Sequence, residues 1–111
     1  MRMDDARFTR ISRALADPRR RAILERIAGA DEVPCRSIVE GMSITQATIS
    51  HHVKELIGAG LIRSRREGKC CFFSIRKAEV ERYRRALAAR LGTLSPGAVR
   101  TARSRRAAGG G

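Results

Sequence analysis

Between Ile44 and Ile57 the chain reads Ile-Thr-Gln-Ala-Thr-Ile-Ser-His-His-Val-Lys-Glu-Leu-Ile. At 3.6 residues per turn, Gln46, Ala47, Ser50 and His51 share one side of a helical cylinder. Their amide, hydroxyl and imidazole groups can donate or accept hydrogen bonds, which suits the edge of a base pair. A solvated face ordinarily carries Lys and Glu at such positions. Ile49, Val53, Leu56 and Ile57 form an apolar stripe on the other side. The pattern predicts a recognition helix for a DNA major groove.

Other reactive groups are sparse. Both histidines, His51 and His52, lie on this helix, so a mixed His/Cys zinc site is not expected. Three cysteines, an odd number, do not suggest a disulfide framework. Cys70 and Cys71 are adjacent, and on a strand their side chains point to opposite faces, which makes a poor chelate. A thiol-redox or thiophilic-metal sensor using Cys35, Cys70 and Cys71 stays open as a minor alternative. There is no Gly-rich phosphate loop and no paired carboxylates fit for a cleft. We therefore expect no catalytic residue, no cofactor and no enzyme.

The elements that must hold the recognition helix can be placed in order. Asp4 to Leu15 predicts a first helix with acids at its start and Phe8, Ile11 and Leu15 on one face, either core or subunit contact. Asp17-Pro18 caps and opens a second helix, which buries Ile23, Leu24, Ile27 and Ala28 and ends at Gly29. Arg19, Arg20 and Arg21 at its start either contact phosphate or form a solvated basic turn, and they oppose the helix dipole. Val33-Pro34-Cys35 is short and extended. Arg36 to Gly41 predicts a short third helix, and Ser43-Ile44-Thr45 is a tight turn with Thr45 as N-cap of the next. Two helices so joined make a helix-turn-helix. Gly60 suits a left-handed position after the recognition helix.

Leu61 to Arg65 and Cys70 to Ile75 read as two strands around a four-residue loop, Arg66-Glu67-Gly68-Lys69. Arg65, Arg66 and Lys69 make this a basic-tipped wing, placed to hold the DNA backbone. Cys71, Phe73 and Ile75 alternate onto its inner face. Lys77 to Leu91 predicts a last helix whose narrow stripe of Val80, Tyr83, Leu87 and Leu91 suits pairing with a second copy or packing on its own domain. Residues 95–111 carry four arginines without apolar periodicity and predict a disordered basic tail, which leaves 1–94 as one DNA-binding and dimerisation domain.

Composition sets the limits. A chain of 111 residues with 42% hydrophobic content can build one modest core. Chains of this size often complete their apolar burial by dimerising. The net charge of +13 points to a polyanion, although a general preference for arginine gives the same sum. The tail contributes +4, so residues 1–94 still carry +9. No apolar run follows Met1 and no membrane span is visible, so a cytoplasmic location is expected.

The chain resembles the ArsR family of bacterial winged helix-turn-helix repressors. The matching runs are Leu15-Ala16-Asp17-Pro18-Arg19-Arg20 with Ile23-Leu24, then Ile44 to Leu56, Ala59-Gly60-Leu61-Ile62 and Arg65-Arg66-Glu67-Gly68-Lys69. They occur in order across roughly residues 5–91. The resemblance implies a mainly α fold with a small β-hairpin: about five helices, a two- to three-stranded wing and dimerisation through the terminal helices. It implies a homodimer on palindromic double-stranded DNA, with Gln46, Ala47, Thr48, Ser50 and His51 at or near the bases and His52 packed inside. The subunit contact would use Phe8, Ile11, Leu15, Val80, Tyr83, Leu87 and Leu91. Members are often released by a metal ion, and here the chain departs. The arsenic-sensing motif Glu-Leu-Cys-Val-Cys-Asp-Leu corresponds to Glu32-Val33-Pro34-Cys35-Arg36-Ser37-Ile38. Pro34 and Arg36 stand at the ligand positions, and neither offers a thiolate. Cys35 falls at the apolar Val. The zinc-sensing variant uses Asp and His on the terminal helix, and residues 77–91 contain neither. The expected metal ligands are therefore none. A basic architectural or RNA-associated protein that binds by charge is the rival reading, but it needs neither the weakly charged face at 46–51 nor the tight turn before it.

Overall fold

The computed structural model describes residues 3–93. The expected tail at 95–111 lies outside them. Five helices and three strands follow in the order α1 (Asp5–Ala16), α2 (Pro18–Ala28), β1 (Val33–Pro34), α3 (Cys35–Gly41), α4 (Gln46–Gly58), β2 (Ile62–Glu67), β3 (Cys70–Ile75) and α5 (Lys77–Arg90). This is the winged helix-turn-helix arrangement, mainly α with a small sheet.

Local chemistry sets the boundaries. Asp4 caps α1 by accepting from the Arg7 amide at 2.8 Å. Asp17 caps α2 by accepting from the Arg19 amide at 2.8 Å and the Arg20 amide at 3.3 Å, with Pro18 at the first helical position. These bonds, the Arg19 one foremost, hold the Asp17 carboxyl below its ordinary value of 3.8. Helix α4 ends in a Schellman pair: the Gly60 amide donates to Ile57 O at 2.9 Å and the Leu61 amide to Leu56 O at 3.0 Å. Gly60 has φ +78°, and the Arg7 guanidinium occupies the space that a Cβ there would need.

The sheet order is β1-β3-β2, all antiparallel. Sequence analysis anticipated the hairpin but gave Val33-Pro34 no strand partner. Val33 pairs with Phe73 and Pro34 with Phe72, so the extended dipeptide forms the third strand. Pro34 is tolerated because β1 is an edge strand. Cys35, expected in the extended run, is instead the first residue of α3. The hairpin loop is also tighter than expected. Glu67 and Cys70 are paired, leaving Gly68 and Lys69 as a two-residue turn. Gly68 supplies the positive φ, +61°, that such a turn needs at its first position.

The core lies where α1, α2, α3 and α4 meet the inner face of the sheet. Ile11, Ile23, Ile27, Ile38, Ile49, Leu56, Leu61 and Ile62 are fully buried within it. Phe73 joins them from β3, with Cys71 and Ile75 partly buried alongside, so the inner face is as the alternation predicted. Two positions depart from the predicted stripes. Ile57 is 39% exposed and Ala28 is exposed, since each lies at the margin of its helix's buried arc.

Helix α5 is held to α1 by polar contacts. Glu79 is buried and accepts from Arg7 Nη2 at 2.7 Å and Arg7 Nε at 3.2 Å. The Arg7 bonds keep its carboxyl ionised below the ordinary value of 4.5. Tyr83 stacks on Phe8 with ring centroids 5.0 Å apart, and its hydroxyl shares a 2.9 Å hydrogen bond with Ser12.

Candidate DNA-binding surface

The recognition helix is fixed from behind and open in front. Ile49, Val53 and Leu56 anchor α4 in the core. Gln46, Ala47, Ser50 and His51 are all exposed on its free face. Thr48 is different. Thr45 Oγ1 accepts from the Thr48 amide at 3.2 Å and donates to Thr48 Oγ1 at 2.9 Å. The half-buried Thr48 hydroxyl therefore helps to close the cap of the helix.

His52 points inward and is 6% exposed. Neither of its ring nitrogens has a hydrogen-bond partner among the described residues. Burial pushes its pKa below the ordinary 6.5, while the Asp17 carboxylate at the start of α2 partly opposes that push. His52 thus joins the recognition helix to the α2 N-terminus as a neutral ring.

The three arginines of α2 part company. Arg20 donates from Nε to Ala14 O at 2.9 Å and from Nη2 to Arg13 O at 3.2 Å. Arg21 donates from Nη1 to Leu15 O at 2.5 Å. Both turn back to satisfy the last carbonyls of α1, where the helix dipole welcomes a cation. The cost expected for placing them at the start of α2 is offset at the end of α1. Only Arg19 of the three remains exposed with no side-chain partner among the described residues.

The wing carries its charges on two faces. Arg65 lies on the outer face beside Phe72, its cross-strand partner, with the guanidinium 4.7 Å from the ring centroid. It grips Glu32 in a fork, Nε to Oε2 and Nη2 to Oε1, both at 2.8 Å, and reaches Glu67 at 2.7 Å. The Glu32 bonds lead those that raise the Arg65 pKa, and the same bonds lower that of Glu32. Arg65 therefore braces the wing against the residue preceding β1. Sequence alone could not pair residues 33 positions apart; β1 is the element that joins them. Arg66 and Lys69, by contrast, are exposed without hydrogen-bond or ion-pair partners among the described residues.

The residues expected at a subunit contact also separate. Ile11 is 0% exposed and belongs to the protomer's own core, which corrects its assignment to an interface. Leu15 is half-buried against that core, and Phe8 and Tyr83 are half-buried against each other. Val80 and Leu87 are each 39% exposed and Leu91 is 68% exposed, an apolar strip along α5 and its C-cap that the described residues leave uncovered. Arg90 closes over Phe8 at 4.0 Å and pairs with Asp5 at 3.1 Å.

Cys35 and Cys71 are half-buried and Cys70 is exposed. Among the described residues, no three His, Cys, Asp or Glu side chains cluster so as to hold a metal ion. No described helix is long and apolar enough to cross a membrane.

Comparisons with known proteins agree with this geometry. A family model described as a helix-turn-helix domain matches residues 15–65. The transcriptional repressor SdpR of Bacillus subtilis is 34% identical over 65 residues, 59% of this chain and 71% of that protein. Among solved structures, the ArsR family transcriptional regulator RHA00566 superposes with a TM-score of 0.73 at 24% identity, covering 83% of this chain and 94% of that one. The homodimeric winged helix-turn-helix DNA-binding domain Mb0332 of Mycobacterium bovis gives 0.62 at 25% identity, over 80% and 85% of the two chains. With its capped recognition helix, braced wing and these relatives, the chain belongs to the ArsR family of winged helix-turn-helix transcriptional regulators.

Proposed function

We propose that two copies of this DNA-binding transcriptional regulator form a homodimeric repressor that reads a palindromic operator through α4. The carrying observation is the exposed, hydrogen-bonding and weakly charged face formed by Gln46, Ser50 and His51 on a helix whose opposite side, Ile49, His52, Val53 and Leu56, is buried. Gln46 stands at the N-terminal end of α4, the end that enters a major groove in helix-turn-helix docking. Its amide can pair with N6 and N7 of an adenine, Ser50 and His51 can address neighbouring base edges, and Ala47 can contact a thymine methyl. Thr48 supports the helix end on which these residues sit. Arg66 and Lys69 hold the backbone from the wing, and Arg65 sets the position of the wing.

The exposed strip of Val80, Leu87 and Leu91 covers its counterpart in the second copy, with Phe8, Leu15 and Tyr83 behind it. A homodimer is also described for the Mb0332 domain. Two recognition helices then meet successive major grooves about 34 Å apart. Repression parallels the role given to SdpR. Release uses none of the family's usual metal ligands, because Pro34 and Arg36 stand at the ligand positions and α5 offers no His or Asp.

Selection from a random duplex pool tests this reading. The protein should enrich an inverted repeat with half-sites one helical turn apart. Gln46→Ala should lose preference at one position of each half-site and about 1–3 kcal/mol of affinity. A pool that shows no enriched sequence, with affinity set by salt alone, would favour the charge-binding alternative instead.

A further inference from the structure

The fold brings two of the three cysteines, Cys35 and Cys71, to the same end of the sheet. Antiparallel pairing of β1 with β3 sets Val33 opposite Phe73 and Pro34 opposite Phe72. The ladder ends at Pro34 and Cys35 opens α3 directly after it; because Pro34 is itself extended, with φ −70° and ψ 145°, Cys35 and Cys71 flank the Pro34–Phe72 pair at the same end. Cys71 alternates with buried Phe73 onto the inner face of β3, and Cys35 packs against the same core from the first residue of α3. Both are half-buried against the core. Directly opposed residues of an antiparallel pair, such as the Pro34 and Phe72 that they flank, have Cα atoms about 4.5–5.5 Å apart, within the roughly 4.4–6.8 Å span of a disulfide. Cys70 alternates to the exposed outer face and is left out of this pairing.

All three cysteines line one open cavity of about 490 Å³, Cys35 and Cys71 half-buried and Cys70 exposed. Its walls also include Val39 of α3, Phe72 of β3, Gln46 at the start of α4 and Lys69 at the wing turn. The dithiol therefore sits between the two elements assigned to DNA, and a small oxidant can reach it.

We infer that Cys35 and Cys71 form a redox-modification site, an oxidisable dithiol whose disulfide ties the start of α3 to the wing strand and weakens DNA binding. The oxidant is a small hydroperoxide. The Cys71 thiolate attacks a peroxide oxygen, an S–O bond forms, the O–O bond breaks, and the leaving oxygen takes a proton as water or alcohol. The Cys35 sulfur then attacks the Cys71 sulfur. An S–S bond forms, the S–O bond breaks, and hydroxide departs with the Cys35 proton as water. Two thiols have lost two electrons, and one hydroperoxide has been reduced. Burial, reinforced by the neighbouring Cys71, raises the Cys35 pKa and keeps it protonated, so it is the less reactive of the two toward the peroxide and follows in the second step. The consequence for DNA follows from position. A covalent link at one end of the cavity fixes the spacing of its walls, and Gln46 and Lys69 stand on those walls.

The first arm of the test uses no DNA. The full chain is treated with hydrogen peroxide, free thiols are blocked, and the product is mapped by mass spectrometry. A monomeric Cys35–Cys71 disulfide with Cys70 free is expected in the wild type and in Cys70→Ser, and its absence in Cys35→Ser and Cys71→Ser. A Cys70-containing disulfide, an intermolecular link, or three surviving thiols would overturn the assignment. The second arm compares reduced and oxidised Cys70→Ser protein on one duplex selected by the reduced form. Weaker binding after oxidation, restored by dithiothreitol, is expected. Unchanged affinity in fully cross-linked protein overturns the effect on DNA. This part rests on α4 reading that duplex, and reduced protein that selects no sequence at all counts against that reading rather than against the dithiol.

Discussion

Single residues divide the helix 46–58 into a reading side and a supporting side, and His52 is the clearest case of support. A neutral ring buried with both nitrogens unpartnered is a liability once protonated. Its folded pKa lies below the 6.5 of an unfolded histidine, so the unfolded chain binds the extra proton more readily. Stability is therefore full above pH 6.5 and falls as the pH drops toward the folded value. Melting temperature should decline from pH 7.5 to about 5.5, and His52→Leu should flatten that decline because an apolar side chain removes the orphaned nitrogens. A variant with the wild-type slope over this window would show that other groups set it. Glu79 works in a separate, more acid window. Its pKa is held below 4.5 by Arg7, so its contribution persists above that value and disappears as the pH falls through the folded one. Glu79→Gln should cost about 1–3 kcal/mol in chemical denaturation, a range kept low because Arg7 stays partly solvated. A smaller loss than that of exposed Glu81→Gln would contradict the bracing role. Glu81, although held near pKa about 2 by Arg84 and Arg85, is a surface ion pair.

Among the elements, the wing separates charge that binds from charge that braces. Arg66→Ala and Lys69→Ala should each weaken binding to all duplexes alike and lower the salt slope by roughly one. Arg65→Ala should act differently, because its guanidinium is occupied by Glu32 and Glu67. Glu32→Gln should reproduce much of the Arg65 loss by freeing the same clasp, which a direct phosphate contact by Arg65 would not allow. This distinction marks what the sequence could carry. The helix starts were legible because Asp4, Asp17 and Thr45 are local caps and Pro18 a local constraint. The outward face of α4 was legible because its period is local too. What escaped were contacts between distant segments: Arg65 with Glu32, Arg7 with Glu79, and the pairing of Val33-Pro34 with β3. For Arg20 and Arg21 the sequence left phosphate contact and a solvated turn open; that they bind the last carbonyls of α1 depends on the angle between α1 and α2.

At the scale of the whole molecule, the described residues leave Val80, Leu87 and Leu91 uncovered along α5 and its C-cap. Leu87→Glu should shift the protein from dimer to monomer in sedimentation and reduce cooperative DNA binding, while the protomer keeps its helical content. Ile11→Glu should instead unfold the protomer, because Ile11 belongs to the core. The measurement that bears most directly on the central claim is purine interference on the selected duplex. Replacing adenine by 7-deaza-adenine removes the N7 acceptor from the major groove and leaves the backbone untouched. We expect interference at one or two adenines in each half-site, about one helical turn apart, and its disappearance with Gln46→Ala. Interference from phosphate ethylation alone, with no dependence on N7 anywhere in the duplex, would contradict the account.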